Sequence, residues 1–234
     1  MNHRKLFHKF LLTTFLTLSL GSAMATPLSC FEITNGEVTN YLIGSNPLCT
    51  TDVVIPAGVT SIGKWAFNEN NLTSVTIPQG VTAIENGAFF FNDLTSLVIP
   101  ASVTTIGAGA FYANKLTSLT IPANVTTISA DAFALNNLTS LTISEGVTSI
   151  GEWAFEGNEL SSLVIPKSVT TIGDEAFYSN QLVSLTISQG VTTIGKWAFF
   201  ENELISVVIP KSVINLAGEA FDESVTVIRE KREK

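Results

Sequence analysis

Residues 94–115 read LTSLVIPASVTTIGAGAFYANK, and residues 160–181 read LSSLVIPKSVTTIGDEAFYSNQ. Both belong to one pattern that recurs every 22 residues from Thr50 to Val225 without an insertion. A phenylalanine marks each of the eight copies: Phe67, Phe89, Phe111, Phe133, Phe155, Phe177, Phe199 and Phe221. A fixed period of this length predicts a stack of equivalent rungs, because one copy cannot bury its own apolar side chains.

The spacing of apolar residues within a copy predicts its local structure. With Leu94 as position 1, apolar residues recur at positions 1, 4, 6, 10, 13, 17 and 18. Positions 4 and 6 alternate as in a strand, whereas the Gly-x-x-Ala-Phe step predicts a tight helical turn. Eight rungs stacked at about 4.8 Å span roughly 40 Å. We therefore expect a β-rich leucine-rich-repeat solenoid, a right-handed coil with one short strand and one tight helical turn per rung, capped at both ends.

Two further columns, a proline and an asparagine, recur at fixed positions in most rungs. Proline follows the strand in six of the eight copies, and Ser144 and Ser188 replace it in the other two. Because proline lacks an N–H group, it suits the end of a strand. Asparagine stands at position 21, just before the next strand, where its side chain can hydrogen-bond turn backbone. We interpret these asparagines as structural.

The ends of the chain differ from its repeats. A basic segment and an apolar run end in Ala23-Met24-Ala25, which predicts a signal peptide over residues 1–25 that is cleaved after Ala25. An uncleaved membrane anchor is the alternative, although a spanning helix needs roughly 20 apolar residues. The remaining boundaries are an N-terminal cap at 26–49, eight repeats at 50–225, and a C-terminal cap with a polar tail at 226–234. We expect an exported protein that is periplasmic, on the cell surface or secreted.

Cys30 and Cys49 are the two cysteines of the chain, and both precede the regular repeats. Export places them in an oxidising compartment, so we expect a disulfide that staples the cap. Closing a loop of this size contributes about 3 kcal/mol in the chain-entropy model. Two free buried thiols are the alternative.

The mature chain offers little for catalysis. Both histidines, His3 and His8, lie in the signal peptide, and two cysteines cannot build a zinc site. The signal also holds three of the twelve basic residues, so nine remain against twenty acidic residues, a net charge of −11. Such a surface repels nucleic-acid phosphates. We therefore predict no enzyme, metal or cofactor, no nucleic-acid partner, and no stable membrane span after signal cleavage.

The unit L-T-S-L-x-I-P-x-x-V-T-x-I-G-x-x-A-F-x-x-N-x resembles the BspA-like, or treponemal-type, class of leucine-rich repeats. The resemblance covers about three-quarters of the chain, and Ile-Pro, Val-Thr-x-Ile-Gly and Ala-Phe recur in most copies. The chain departs from the commonest form in carrying Asn where many members carry Cys, and in its period of 22 rather than 23. The resemblance implies a surface or secreted protein that acts in adhesion and protein binding.

Variation among the copies concentrates at positions 15, 16, 19 and 20, on either side of Ala-Phe. A column that accepts Gly, Asp, Glu and Trp cannot point into a packed core, so its aromatic residues should be at least partly exposed. Exposed rings are typical of recognition surfaces. Neighbouring carboxylates favour a basic partner, and the acidic, aromatic C-terminal half is the expected site. The candidate partner-binding residues are Trp65, Phe90, Tyr112, Trp153, Tyr178, Trp197 and Phe200.

Three alternatives to this protein-binding interpretation remain open. The rings could lie flat across neighbouring rungs and merely cover one side of the solenoid. The ligand could be a glycan rather than a protein. The threonines at position 11 form a regular array that could order water, as in an ice-binding protein; they are Thr60, Thr82, Thr104, Thr126, Thr148, Thr170 and Thr192.

Overall fold

The computed structural model describes residues 25–231. The predicted signal peptide, apart from Ala25, and the last three residues of the predicted polar tail lie outside the described residues. Residues 25–231 form a β-solenoid of about nine turns with a spacing of about 22 residues, which confirms the predicted fold class. The domain boundaries at 26, 50 and 226 stay predictions.

The described chain contains eighteen short strands and one 3-10 helical turn, Leu28–Cys30. In chain order the strands are β1 (Phe31–Thr34), β2 (Glu37–Tyr41), β3 (Asp52–Val54), β4 (Ser61–Ile62), β5 (Ser74–Thr76), β6 (Ala83–Ile84), β7 (Thr105–Ile106), β8 (Ser118–Ile121), β9 (Thr127–Ile128), β10 (Ser140–Ile143), β11 (Ser149–Ile150), β12 (Ser162–Ile165), β13 (Thr171–Ile172), β14 (Ser184–Ile187), β15 (Thr193–Ile194), β16 (Ser206–Ile209), β17 (Asn215–Leu216) and β18 (Thr226–Arg229).

One face of the solenoid is a continuous sheet of ten strands, of which eight are built from positions 12 and 13 of the rungs and two, β1 and β2, precede the repeats. Its order is β1-β2-β4-β6-β7-β9-β11-β13-β15-β17, and every pair after β1–β2 is parallel. The antiparallel β1–β2 hairpin turns at Asn35-Gly36, where both residues have positive φ. A disulfide joins Cys30 to Cys49 across a Cα–Cα distance of 5.5 Å. The cap therefore covers the first rung of the same sheet.

The opposite face, which we call the strand face, carries a second strand at positions 3 to 6 of most rungs. The prediction of one strand per rung was therefore wrong. Here the strands associate only in pairs: β3–β5, β8–β10, β12–β14 and β16–β18.

Proline explains most of this pairing. Ser144 follows β10 and donates its N–H to the Ile121 carbonyl at 3.2 Å, which extends the ladder between β10 and β8. Ser188 and Glu230 make the equivalent bonds after β14 and β18. Pro166 and Pro210 follow β12 and β16 and cannot donate, and neither strand pairs with the preceding rung. The β3–β5 pair is the exception and spans three residues rather than four.

The predicted helical turn at Ala-Phe is absent from the described rungs. Ala110 N–H bonds the Gly107 carbonyl at 3.2 Å, which is a single tight turn. Phe111 N–H instead bonds the Ala132 carbonyl of the next rung at 2.9 Å. A helix needs successive N–H groups to bond within one segment, so bonding between rungs excludes it.

Phenylalanine rings form the centre of the core. All eight repeat phenylalanines are buried, and consecutive rings stack with centroids 4.9 to 5.6 Å apart and interplanar angles of 3 to 11°. The leucine, isoleucine and valine residues at positions 1, 6, 10 and 13 are buried around this stack in nearly every rung. Each interior ring therefore contacts the rings of the rungs above and below it.

The asparagines at position 21 form a buried ladder beside the phenylalanine stack. Asn136 Nδ2 donates to the Phe111 carbonyl of the preceding rung at 2.9 Å and to the Phe133 carbonyl of its own rung at 3.2 Å. Its Oδ1 accepts the Leu116 N–H at 3.1 Å. The same pattern links successive rungs at Asn114, Asn158, Asn180 and Asn202.

Replacing a core ring should be far more damaging than replacing a side chain on the strand face. We expect Phe133→Ala to lower the free energy of unfolding by about 3 to 5 kcal/mol, because it leaves a void within the stack. Thr120→Ala, at an exposed strand-face position, should change it by less than about 0.5 kcal/mol. Urea unfolding measures both; equal midpoint shifts would show that the inward and outward assignments are wrong.

Ser144→Pro should separate β10 from β8, because it removes the donor to the Ile121 carbonyl. Amide hydrogen exchange over residues 140–143 should then accelerate towards that of the unpaired residues 96–99. Residues 162–165, in the separate β12–β14 pair, are the internal control and should keep their exchange rates. Unchanged protection of residues 140–143 would contradict the role given to proline.

Candidate functional site

The candidate residues lie on one surface of the solenoid, formed by positions 15, 16, 19 and 20 and here called the turn edge. Position 16 adopts the left-handed conformation in seven rungs, including φ of 60° at Trp65, 54° at Trp153 and 54° at Trp197. This shared backbone conformation explains why glycine alternates there with large and acidic residues. Trp65 is 53% exposed, whereas Trp153 and Trp197 are half-buried.

Four rings on the turn edge contact one another near the N-terminal end. Phe90 stacks on Tyr112 with centroids 4.9 Å apart and an interplanar angle of 12°. Trp65 meets Phe90 edge-on at 5.3 Å, and Phe91 meets Phe90 at 4.7 Å. We call Trp65, Phe90, Phe91 and Tyr112 the ring cluster. It is the largest group of contacting rings on the described turn edge and lies in the N-terminal half, opposite to the expected half.

Phe91 is a member of the ring cluster that the sequence analysis did not select. It is 51% exposed and occupies position 20, where the backbone is again left-handed with φ of 51°. The sequence does indicate that position 20 is exposed, because the residue there varies among Glu69, Phe91, Ala113, Leu135 and Glu201. Variation at that column thus identified a surface position, but the candidate list covered only positions 16 and 19.

The remaining candidates form a looser group towards the C-terminal end. Tyr178 and Phe200 stack in parallel with centroids 6.3 Å apart. Lys196 Nζ lies 3.8 Å from the centroid of the Trp197 ring, and it also pairs with Glu219 at 3.1 Å. Trp153 contacts no other aromatic ring among the described residues. Among the described residues, the seven candidates therefore comprise three contacting rings, one stacked pair and two tryptophans, Trp153 and Trp197, that contact no other ring.

Several carboxylates lie on the turn edge between the ring cluster and the Tyr178–Phe200 pair. Burial raises the pKa of Asp131, and burial together with the charges of Asp131 and Glu175 raises the pKa of Glu156. Burial and the charges of Glu156 and Asp131 also raise the pKa of Tyr112. The pKa of Tyr178 rises to about 12, first through its hydrogen bond to Glu201 and then through burial and nearby carboxylates. The middle of the turn edge is consequently a region of negative potential.

The strand face is less uniform than its serine and threonine columns predict. Exposed aliphatic side chains interrupt these columns at Val98 in the N-terminal half and, more often, towards the C-terminal end, at Val164, Val183, Ile205, Val208 and Ile228. The position-11 threonines lie at the border of the ten-stranded sheet. Thr148 Oγ1 donates to the Thr126 carbonyl at 3.0 Å. In the next two rungs, the hydroxyls of Thr170 and Thr192 donate likewise to the position-11 carbonyl of the preceding rung.

Within residues 25–231, no group of three or more His, Cys, Asp or Glu side chains could hold a metal ion. A search of the same residues for a helix of the length and apolarity needed to cross a bilayer finds none.

Comparison with known protein families identifies the class of the repeats. A sequence model of the BspA type leucine rich repeat region matches the chain in six copies, over residues 45–158 and 104–228. No curated protein matches significantly.

Solved bacterial structures resemble the chain over most of its length. The pneumococcal vaccine antigen PcpA is 26% identical with a TM-score of 0.50, covering 69% of this chain and 44% of that protein. A leucine rich cell surface protein from Faecalibacterium prausnitzii is 25% identical with a TM-score of 0.46, covering 73% of this chain and 50% of that protein. The chain thus spans about half the length of these two proteins. Because the family model matches residues 45–228, which is more than half of the sequence, the chain belongs to the BspA-type leucine-rich repeat family.

Proposed function

We propose that this chain is an exported protein-binding module that engages a protein partner through its turn edge, in an adhesin-like or scaffold role. The observation that carries the proposal is the ring cluster, in which four aromatic side chains of three consecutive rungs contact one another at the surface. Family membership supports the protein-binding role in general. Family membership does not indicate which face of the solenoid binds the partner, whereas the side chains of the turn edge do.

The ring cluster has the properties of an interface anchor. Trp65 and Phe91 are each about half exposed, and both are held against Phe90. Aromatic residues contribute much of the energy in protein interfaces, and rings already ordered before binding lose little side-chain entropy. The alternative, in which the rings merely cover the solenoid, describes Trp153 and Trp197 better than Trp65 and Phe91.

The carboxylates beside the cluster favour a basic partner. Asp131, Glu156 and Glu175 lie close enough together to influence one another electrostatically. A cationic surface approaching this region gains attraction at long range, so the association rate should fall as salt rises. The strand face lacks a comparable combination of rings and charge.

The ice-binding alternative finds less support. Along the position-11 array, the hydroxyl protons of several threonines are donated to backbone carbonyls of the preceding rung. Those hydroxyls retain only acceptor capacity towards water. A glycan partner would also use aromatic rings and is an outcome of the binding test below.

Cross-linking capture from the native environment should identify a protein partner, whose affinity can then be compared among variants. The double variant Trp65→Ala with Phe91→Ala should lose about tenfold or more in affinity, because it removes the exposed half of the ring cluster. Its melting temperature should stay near that of the wild type, since neither side chain lies in the core.

The matched control changes two exposed strand-face residues, Thr120→Ala with Thr142→Ala. It should bind normally. Normal binding by the ring variant together with loss of binding by the control would move the site to the strand face. Capture of a glycan but no protein would overturn the proposal in favour of the glycan alternative.

A further inference from the structure

A notch interrupts the turn edge beside the ring cluster. It is a cavity of about 310 Å³ lined by Trp65, Asn86, Phe90, Ala108, Gly109, Tyr112 and Asp131. Gly109 occupies position 16 with φ of +61°, where the following rungs carry Asp131, Trp153, Glu175 and Trp197. The missing side chain therefore creates the notch.

Two glycines occupy position 16, but only one leaves open space. A Cβ added at Gly87 would lie 2.2 Å from Trp65 Cε3, because the indole ring already fills that place. A Cβ added at Gly109 would meet nothing closer than Phe90 Cδ2 at 3.6 Å. The indole thus packs over the first glycine and leaves the second as an open floor.

The walls of the notch differ in chemistry. Trp65, Phe90 and Tyr112 present aromatic surface, and Asp131 supplies a carboxylate from the next rung. Among residues 25–231, no ion pair or side-chain hydrogen bond engages the Asp131 carboxylate. Asn86 is already committed, since its Oδ1 accepts the Ala108 N–H at 3.0 Å. The one charged group that lines the notch is therefore an anion beside aromatic rings.

We propose that the notch receives an arginine side chain of the protein partner, with its guanidinium beside Asp131 and its aliphatic stem against the rings. The proposal rests on the turn edge being the protein-binding surface. A planar cation stacks on aromatic rings and pairs with a carboxylate, and its stem suits an apolar wall. An apolar side chain would desolvate Asp131 without compensation, and an anionic one would be repelled by Asp131 and Glu156.

The chain contains an internal parallel for this arrangement. At the same position of a later rung, Trp197 holds the Lys196 ammonium 3.8 Å from its ring centroid, with Glu219 as the carboxylate partner. Trp65 has no such cation over its ring among the described residues. The notch likewise presents aromatic surface and a carboxylate, although its carboxylate stands three rungs from Trp65 whereas Glu219 stands one rung from Trp197.

The test uses N-acetyl-arginine amide as a probe, so it does not depend on finding the partner. The chain has three tryptophans, and their indole N–H signals can be followed together by NMR during titration. The Trp65 signal should shift with saturation, while the Trp153 and Trp197 signals should not. N-acetyl-citrulline amide, which is neutral and nearly isosteric, should leave all three in place.

Two variants locate the probe. Gly109→Trp should abolish the Trp65 shift by filling the notch, and Glu175→Trp, at the same position three rungs on, should preserve it. Tryptophan is tolerated at position 16 in three other rungs, so both variants should fold. Asp131→Asn should weaken binding about tenfold through loss of the charge.

Equal shifts of all three tryptophans, an equal response to citrulline, or an undiminished response of Gly109→Trp would overturn the proposal. Any of these results would leave the turn edge as a protein-binding surface untouched, because that is tested by capture and the Trp65→Ala with Phe91→Ala variant. Loss of capture by that variant alongside a silent notch would support the turn edge and overturn the notch, whereas normal capture by that variant would overturn the turn edge as the protein-binding surface.

Discussion

The hydrogen bonds of the position-21 asparagines are the interaction on which the rest of this structure depends. As at Asn136, the buried amide donates to a phenylalanine carbonyl of the preceding rung and to the phenylalanine carbonyl of its own rung, and its oxygen accepts the N–H of position 1 in its own rung. A buried polar group of this kind costs free energy unless it is paired, so the ladder demands one fixed geometry. This demand is consistent with a repeat of 22 residues that contains no insertion.

The same constraint arranges the turn edge. From position 16 to position 20, alternate backbone N–H groups bond the next rung, as Gly109 does to Ala130 and Ala113 to Ala134. Residues at positions 16, 19 and 20 therefore recur at the spacing of stacked rungs. That spacing allows Phe90 to stack on Tyr112 and brings Asp131 beside the same rings. Binding at such a surface would require little reorganisation of its backbone.

Much of this architecture could be predicted from the periodicity alone. The inward positions, the stacked phenylalanines and the backbone role of the asparagines follow from column identity and spacing, whereas the disulfide follows from the predicted export and the cysteine count. The helical turn could not be predicted correctly, because Gly-x-x-Ala-Phe is compatible with a helix unless its N–H groups are claimed by a neighbouring rung. The pairing of strands on the strand face also could not be predicted. It depends on whether the residue after the strand, such as Ser144 or a proline, can donate an N–H to the preceding rung.

The candidate site was predicted as a set of columns rather than as a cluster. The exposure of Trp65 and Phe90 could be predicted, but the contact between Phe90 and Phe91 could not, because position 20 carries no recurring aromatic residue. The notch also could not be predicted, because Gly87 and Gly109 occupy the same position of two consecutive repeats. Only the placement of the Trp65 indole shows that one glycine is covered and the other open.

The asparagine ladder can be tested with two neighbouring residues of the same type. Asn136 is buried within the ladder, whereas the adjacent Asn137 is exposed and bonds Glu159 at 3.0 Å. Urea unfolding of Asn136→Ala should show a loss of about 2 to 3 kcal/mol, because it leaves buried backbone groups of two rungs unpaired. Asn137→Ala should remain within about 0.5 kcal/mol of the wild type. Equal losses for the two variants would contradict the account.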